Sequence, residues 1–196
     1  GTGAAPPEFS NSIGTPLNDG LNYVNNALIG IGVRDKIRII ASGKVTTGFT
    51  IATKIALGAD ICNSARGMMF ALGCIQALRC NTNECPTGVT THNPELTVGL
   101  VVPDKARRVA NFQKNTVHSF LEVIAAAGLS HPKELKPWYI QRRVSQSEAR
   151  HYGEIYPTVE EGSFMNGAAE AGKMPLSFAQ PWKRASADTF SPSHPT

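Results

Sequence analysis

Two short segments, Lys36-Ile-Arg-Ile-Ile-Ala41 and Ala59-Asp-Ile-Cys-Asn63, decide the fold. Both are rich in β-branched or apolar residues, which predicts two strands. Residues 47–57 between them carry apolar residues at helical spacing, and a further helix is predicted over residues 67–78. Strand–helix–strand–helix with short links indicates parallel strands joined by right-handed crossovers. The pattern therefore predicts an α/β fold, either a doubly wound sheet or a (β/α)₈ barrel.

A loop and a helix are predicted before this unit, and a long helix is predicted after it. Residues 1–14 are rich in Gly, Pro, Ser and Asn, which is typical of a loop. Thr15 and Pro16 suit the N-cap and first turn of a helix that continues to about residue 32. A long helix is predicted from residue 103 to 128, opened by a proline and ended by a glycine.

The carboxyl-terminal part has a different composition. Residues 160–196 are rich in Gly, Ala, Ser and Pro. Their aromatic side chains are isolated from one another, at Phe164, Phe178, Trp182 and Phe190. We expect this tail to wrap over a surface instead of forming a core of its own.

Composition narrows the class of protein. The 196 residues are 41% hydrophobic and 17% charged, with a net charge of +4, which is typical of a globular domain. No basic stripe alternates with aromatic residues, so we expect no nucleic-acid partner. Four cysteines are too few for a secreted disulfide framework, which favours a cytoplasmic location. The first residue is not Met, so we expect the chain to belong to a longer polypeptide.

Three of the cysteines fall in one segment, Cys74-Ile-Gln-Ala-Leu-Arg-Cys80-Asn-Thr-Asn-Glu-Cys85-Pro86. Thiolates bind soft metals and iron–sulfur clusters, and an irregular loop, predicted to extend over residues 81–100, lets them converge. Reduced structural cysteines or a disulfide are the alternatives. Structural zinc sites favour two Cys-x₂₋₄-Cys pairs that supply four ligands, whereas this loop has three cysteines and no suitable histidine. Cys62 is interpreted as a small apolar core residue.

Small residues follow both predicted strands. The first strand is followed by Ser42-Gly43-Lys44, and the second by Ser64-Ala65-Arg66-Gly67. Small side chains let backbone N–H groups approach a phosphate, and a helix beginning there adds its positive end. In (β/α)₈ barrels the loops after the last two strands often form such a site. A glycine after a strand is also common in ordinary turns, so this pattern alone leaves both interpretations open.

Taken together, the motifs resemble the synthase domain of the FMN-dependent glutamate synthase family. The resemblance extends in order from residue 1 to about 135, and it is carried by Gly1-Thr-Gly-Ala-Ala-Pro6, Ala41-Ser-Gly-Lys44, Gly58-Ala-Asp60 and Gly73-Cys74 through Cys85-Pro-Thr-Gly-Val89. It implies the carboxyl-terminal portion of a (β/α)₈ barrel in residues 1–135, with an iron–sulfur loop at 74–88. Residues 136–196 would be an extension that wraps the barrel.

The resemblance also implies the cofactors and their ligands. Cys74, Cys80 and Cys85 would hold a [3Fe-4S] cluster. The FMN phosphate would be lined by Ser42, Gly43, Lys44, Ala65 and Arg66. Thr2 and Gly3 would face the flavin. Where this family usually has two glycines, the sequence has Ser42-Gly43, and Arg66 departs from the usual small pair.

The activity implied is reductive synthesis of glutamate from 2-oxoglutarate and ammonia. Electrons would enter through the cluster and reach the flavin, from a donor that is a ferredoxin, a reduced nicotinamide or a partner subunit. An amine in place of ammonia, or a non-catalytic electron-transfer subunit, are the alternatives. The two predicted strands cannot close a barrel of about 250 residues, so its remainder must come from the same or a second chain.

Overall fold

The computed structural model describes residues 6–169 and 171–189. Thr2, Gly3 and Phe190 lie outside the described residues. Among the residues described, the helices are α1 (Pro7–Ser12), α2 (Leu17–Gly30), α3 (Gly48–Ala56), α4 (Arg66–Leu72), α5 (Pro94–Thr97), α6 (Val102–Ala126), α7 (Tyr152–Ile155) and α8 (Leu176–Arg184). The strands are β1 (Ile40–Ser42), β2 (Ile61–Asn63), β3 (Gln141–Arg143) and β4 (Ala149–His151). Single 3₁₀ turns lie at Arg34–Lys36, Pro132–Glu134 and Pro137–Tyr139.

Strands β1 and β2 form the predicted parallel pair. Ser42 at the end of β1 is in register with Asn63 at the end of β2. Both strands are shorter than predicted, and β1 begins four residues after Lys36. The Ile39 N–H donates to the Asp60 carboxylate at 2.8 Å. At this position a side chain, and not the backbone of the neighbouring strand, accepts the hydrogen bond. The result is a mixed α/β unit compatible with part of a barrel.

Helix α3 packs against β2 and α2 packs against β1, and α6 packs in turn on α3. The main core is made of buried side chains from the strands, from α2, α3 and α6, and from the segment after α6: Leu21, Ala41, Ala52, Ala56, Leu57, Ala59, Ile124, Leu135, Ile140, Tyr152 and Tyr156. Gly48 permits the closest approach of α3 to α6, since a Cβ there would lie 2.3 Å from the Phe120 backbone nitrogen. Hydrophobic burial in this core is the main force that holds the unit together.

The predicted helix ends agree closely with those of α3 and α6, and they are wrong at the start of α2 and at the end of α4. Thr47 caps α3, with its hydroxyl accepting from the Thr50 N–H. The helix predicted over residues 67–78 ends at Leu72, because Gly73 takes a left-handed conformation (φ +113°). The predicted loop over residues 1–14 contains α1, and α2 begins after Pro16, with no side-chain cap from Thr15.

The chain after α6 contains structure that the sequence pattern did not indicate. Strands β3 and β4 form an antiparallel hairpin, and α7 follows it directly. Ile140 and Tyr152 on either side of the hairpin are buried in the main core. The Tyr152 N–H donates to the Ile140 carbonyl at 2.9 Å, which closes the base of the hairpin.

The expectation that the tail lacks a core is wrong. Buried side chains from the tail form a second cluster: Phe164, Ala169, Met174, Phe178 and Ala179. This cluster packs on α2, where Gly30 accommodates the Phe164 ring. Two buried asparagines on α2 complete the attachment, because Asn22 donates to the Pro157 carbonyl and Asn26 accepts from the Val159 N–H.

One face of the parallel pair is open. Ile40 and Ile61 lie opposite each other in register and are 55% and 50% exposed. Apolar side chains on a sheet face are ordinarily covered by other elements. None of the described helices is long and apolar enough to cross a membrane.

Candidate cofactor site

The loops that follow β1 and β2 leave the sheet at the same edge. The strands are parallel and in register at Ser42 and Asn63, so both carboxyl ends point in one direction. A hydrogen bond of 2.6 Å from the Ser64 hydroxyl to the Val45 carbonyl joins the two loops. We call these loops, residues 42–47 and 63–67, the cofactor corner.

The first loop of the cofactor corner has an unusual backbone. Gly43 has φ +142° and Lys44 has φ +52°, both in regions that side chains disfavour. A Cβ at Gly43 would lie 3.2 Å from the Leu17 side chain. Non-glycine residues with positive φ cost energy and persist where the surroundings enforce them, often at ligand sites. Lys44 is exposed beside this turn.

The second loop leads directly into α4. Arg66 is the first helical residue, and its N-cap, Ala65, provides no side-chain hydrogen bond. Gly67 is buried, and a Cβ there would lie 2.6 Å from the Ser64 hydroxyl oxygen. Among the described residues, neither Lys44 nor Arg66 forms an ion pair, so both cations are available to an anion.

The three clustered cysteines lie on one loop around one cavity. Because α4 ends at Leu72, Cys74 belongs to the loop and not to the helix. Cys74, Cys80 and Cys85 all line a cavity of about 10 Å³, room for no more than one water molecule. All four cysteines of the chain are free thiols. The structure thus brings together the three thiols and leaves Cys62 elsewhere.

The Cys85 thiol is held in a polar environment. Partial burial alone would raise its pKa, but hydrogen bonds from the Thr87 hydroxyl and from the Thr90 and Thr87 backbone N–H groups lower the pKa to about 6. The Cys85 Sγ and Thr87 Oγ1 atoms are 3.4 Å apart. Thr90 lines the same cavity, and its hydroxyl faces the Cys85 thiol and helps to lower this pKa. A thiolate is a donor to soft metal ions, so Cys85 is chemically suited as a metal ligand.

Close backbone packing fixes this loop. Gly88 has φ +75°, and a Cβ there would lie 2.3 Å from the Leu96 carbonyl oxygen. Two cations from α6 reach Gly73 at the start of the loop. If Gly73 carried a Cβ atom, that atom would lie 3.4 Å from Lys105 Nζ and 3.9 Å from Arg108 Nη1. The start of the loop is therefore flanked by positive charge.

Cys62 has the opposite character. It is half-buried on β2 against the main core. Burial raises its pKa to about 11, despite the nearby Lys54 ammonium. A protonated thiol in apolar surroundings is a poor metal ligand.

The described residues contain no set of three His, Cys, Asp or Glu side chains arranged to hold a single metal ion. A cluster places each thiolate on a different iron, so its ligands need only surround a common cavity. The three cysteines line one cavity, and its volume of about 10 Å³ is smaller than a cluster needs.

Sequence reasoning missed the residues that join and support these loops. The hydroxyl residues Thr87 and Thr90 follow Cys85 by two and five positions, a spacing that suggests local hydrogen bonding to the thiol. Ser64 was grouped with the small residues of the phosphate pattern, although its role is to tie the two loops together. Lys105 and Arg108 are distant in sequence, and no local signal places them beside Gly73.

Comparison with known proteins bears on the family of this chain. A family model described as the conserved region in glutamate synthase matches residues 1–130. The chain is 44% identical over 132 residues to the glutamate synthase large subunit-like protein YerD of Bacillus subtilis, covering 67% of this chain and 25% of that protein. It is 39% identical over 136 residues to the archaeal glutamate synthase (NADPH) of Methanocaldococcus jannaschii, covering 69% and 27% respectively.

These matches define the class of protein. The chain belongs to the glutamate synthase family. It spans about a quarter of the length of the curated relatives it matches.

Proposed function

We propose that this chain supplies the FMN-phosphate corner and the iron–sulfur loop of a glutamate synthase-type oxidoreductase. The observation that carries the proposal is that one family-matched region holds both features: two linked loops with free cations, and three thiols around a single cavity. Either feature alone is common in unrelated proteins, whereas their order along the chain is that of the family.

The FMN phosphate would be held at the cofactor corner by Ser42, Gly43, Lys44, Ala65 and Arg66. The support is the shared edge of the two strands, the enforced left-handed turn at Lys44 and the absence, within residues 6–169 and 171–189, of ion pairs to either cation. The Arg66 guanidinium would add a fork of donors suited to phosphate oxygens. Thr2 and Gly3 belong to the proposal through the family resemblance alone.

The cluster would be a [3Fe-4S] centre on Cys74, Cys80 and Cys85. Thr87 would hold the Cys85 sulfur, and the cations from α6 would flank the start of the loop. When bound, FMN supplies two-electron chemistry and the cluster one-electron chemistry. The protein would position both groups, exclude water and set their potentials through hydrogen bonds and burial.

The reaction would combine 2-oxoglutarate, ammonia, two electrons and two protons into glutamate and water. The groups that bind the substrates would lie in the part of the barrel that this chain does not include, so no catalytic residue is assigned. The electron donor would be a ferredoxin, a reduced nicotinamide or a partner subunit. Two curated relatives carry NADPH in their names, which favours a nicotinamide-linked route.

The remainder of the barrel would cover the open sheet face at Ile40 and Ile61. The chain covers about a quarter of its relatives, so the missing strands would come from the same polypeptide or from a second chain. The division into barrel units at residues 1–135 and an extension at 136–196 is part of this proposal. Four free thiols suit the reducing cytoplasm that we propose as its location.

The test is to purify the protein together with the polypeptide that completes its barrel, and then to measure iron, flavin and turnover. We expect bound FMN, about three irons per chain and glutamate formation from 2-oxoglutarate and ammonia with a chemical reductant. Turnover with an amine but not with ammonia would favour an N-substituted glutamate product. Bound cofactors with no turnover on either would indicate an electron-transfer subunit.

A further inference from the structure

A large cleft lies at the end of the parallel pair opposite the cofactor corner. Its walls include residues 34–38, which precede β1, and residues 55–60, which precede β2. The amino ends of parallel strands share one edge, so this cleft and the cofactor corner lie at opposite ends of the pair. Residues 131–138, past the family-matched region, form another wall. We call this the amino-end cleft.

The amino-end cleft has the size and lining of a ligand site. Its volume is about 860 Å³, within the range of about 300–1,000 Å³ typical of small-molecule sites. Its floor is apolar, with Leu57 and Leu135 almost fully buried beneath it. The Arg34–Asp60 ion pair at 2.8 Å fixes one wall. The cleft is therefore preformed, and a ligand would not have to order it.

Three cations lie on its rim without an ion pair among the described residues: Arg38, Lys133 and Lys136. Glu134, between the two lysines, is directed away, since its carboxylate accepts from the Ser130 N–H and hydroxyl at 2.9 and 3.0 Å. Two further carboxylates, Asp35 and Glu161, also line the cleft. The rim thus has two lysines on the wall formed by residues 131–138, and a cation and carboxylates on other walls.

Trp138 stands beside these lysines on the same segment. It is 57% exposed, which leaves much of a large aromatic side chain facing water. Exposed aromatic faces stack well on nucleic-acid bases. An aromatic platform next to two lysines suits a ligand that joins an aromatic ring to an anion.

We propose that the amino-end cleft binds a mononucleotide. The base stacks on Trp138, the phosphate binds Lys133 and Lys136, and the carboxylates of Asp35 and Glu161 accept from ribose hydroxyls. The cleft lies away from the cofactor corner, so a nucleotide bound here is not an electron donor to the flavin. It instead contacts both the family-matched unit and the segment that follows it.

Equilibrium dialysis of the complete protein, saturated with FMN and using radiolabelled AMP, tests this proposal. We expect one saturable site per chain. Trp138→Ala should weaken AMP binding about ten-fold, the range of one stacked base. Lys133→Ala with Lys136→Ala removes two charged contacts and should weaken it by more than ten-fold. Trp138→Phe should retain binding, because the ring persists. Lys114→Ala, an exposed lysine on α6, is the matched control and should bind as the parent does.

Competition separates the two halves of the ligand. Adenosine and inorganic phosphate should each displace AMP more than ten-fold less effectively than unlabelled AMP. If adenosine displaced AMP as effectively as unlabelled AMP does, the lysines would have no role in binding. If inorganic phosphate did so, Trp138 would have none. No saturable binding up to millimolar AMP, or unchanged binding in the lysine variant, would overturn the proposal.

Discussion

Asp60→Asn tests the contacts that hold β1 and β2 in register. The Asp60 carboxylate accepts from Arg34 Nη2 and from the Ile39 N–H, both at 2.8 Å. Both side chains of the ion pair are largely buried, with 20% and 17% exposed for Arg34 and Asp60. Hydrogen bonds to charged groups contribute about 1.5–3 kcal/mol each. An amide retains one acceptor, so we expect the free energy of unfolding to fall by about 1–2 kcal/mol at pH 7.

The effect should depend on pH in a defined direction. Burial alone would raise the pKa of Asp60, but the Ile39 N–H and the Arg34 guanidinium outweigh it and lower the pKa. A lowered pKa contributes stability above the unfolded value of about 4, and this stability is lost as the pH falls through the folded value. The difference between parent and variant should therefore shrink below pH 4.

Urea denaturation of the protein at pH 7 and pH 3 measures both effects. Asp104→Asn is the matched control, because Asp104 pairs with Arg107 on the exposed surface of α6 and such pairs contribute about 0–1 kcal/mol. Equal losses in the two variants, or a loss at Asp60 that persists undiminished at pH 3, would refute the role assigned to this ion pair.

Three further predictions concern the cofactor corner, the tail and the isolated chain. In flavin titrations, Arg66→Ala should weaken the binding of FMN more than that of riboflavin, because the lost charge acts only on phosphate; equal weakening of both flavins would remove Arg66 from the phosphate site. Gly43→Val should abolish flavin binding, since the Gly43 φ of +142° excludes a branched side chain. Gly30→Ala should destabilise the protein by about 1–3 kcal/mol through overlap with Phe164, whereas Gly20→Ala in the same helix should be neutral or stabilising. If thermal denaturation showed Gly20→Ala to be the less stable variant, the packing of the tail on α2 would be contradicted. Residues 1–196 expressed alone should show weak hydrogen-exchange protection across residues 36–64 and no tight FMN binding, because the sheet face at Ile40 and Ile61 stays open. Strong protection with bound FMN in a monomer would show that the chain needs no partner.

Local sequence signals predicted the central unit well. The parallel strands and the bounds of α3 follow from apolar spacing and from a threonine cap, which act within a few residues. The grouping of three cysteines about one cavity was foreseeable only in part, because the helix predicted over residues 67–78 would have kept Cys74 out of the loop. The separate character of Cys62 follows from its place in an apolar strand.

Features that depend on distant contacts could not be foreseen. The start of β1 is set by Asp60, a side chain from the far side of α3. The tail forms a core because Gly30 and the asparagines of α2 accept it, and nothing in its own glycine-rich composition indicates that surface. The end of α4 was missed although Gly73 marks it, because apolar spacing continues past the glycine.

The most direct test of the central claim is the iron content and the absorbance near 400 nm of four cysteine variants of the complete protein. Serine at position 74, 80 or 85 should each remove most of the absorbance and iron, because each thiol would ligate a different iron. Cys62→Ser should retain both, since that thiol is packed against the main core. Loss of the signal in Cys62→Ser alone, with the other three variants unchanged, would contradict the assignment of Cys74, Cys80 and Cys85 as the cluster ligands.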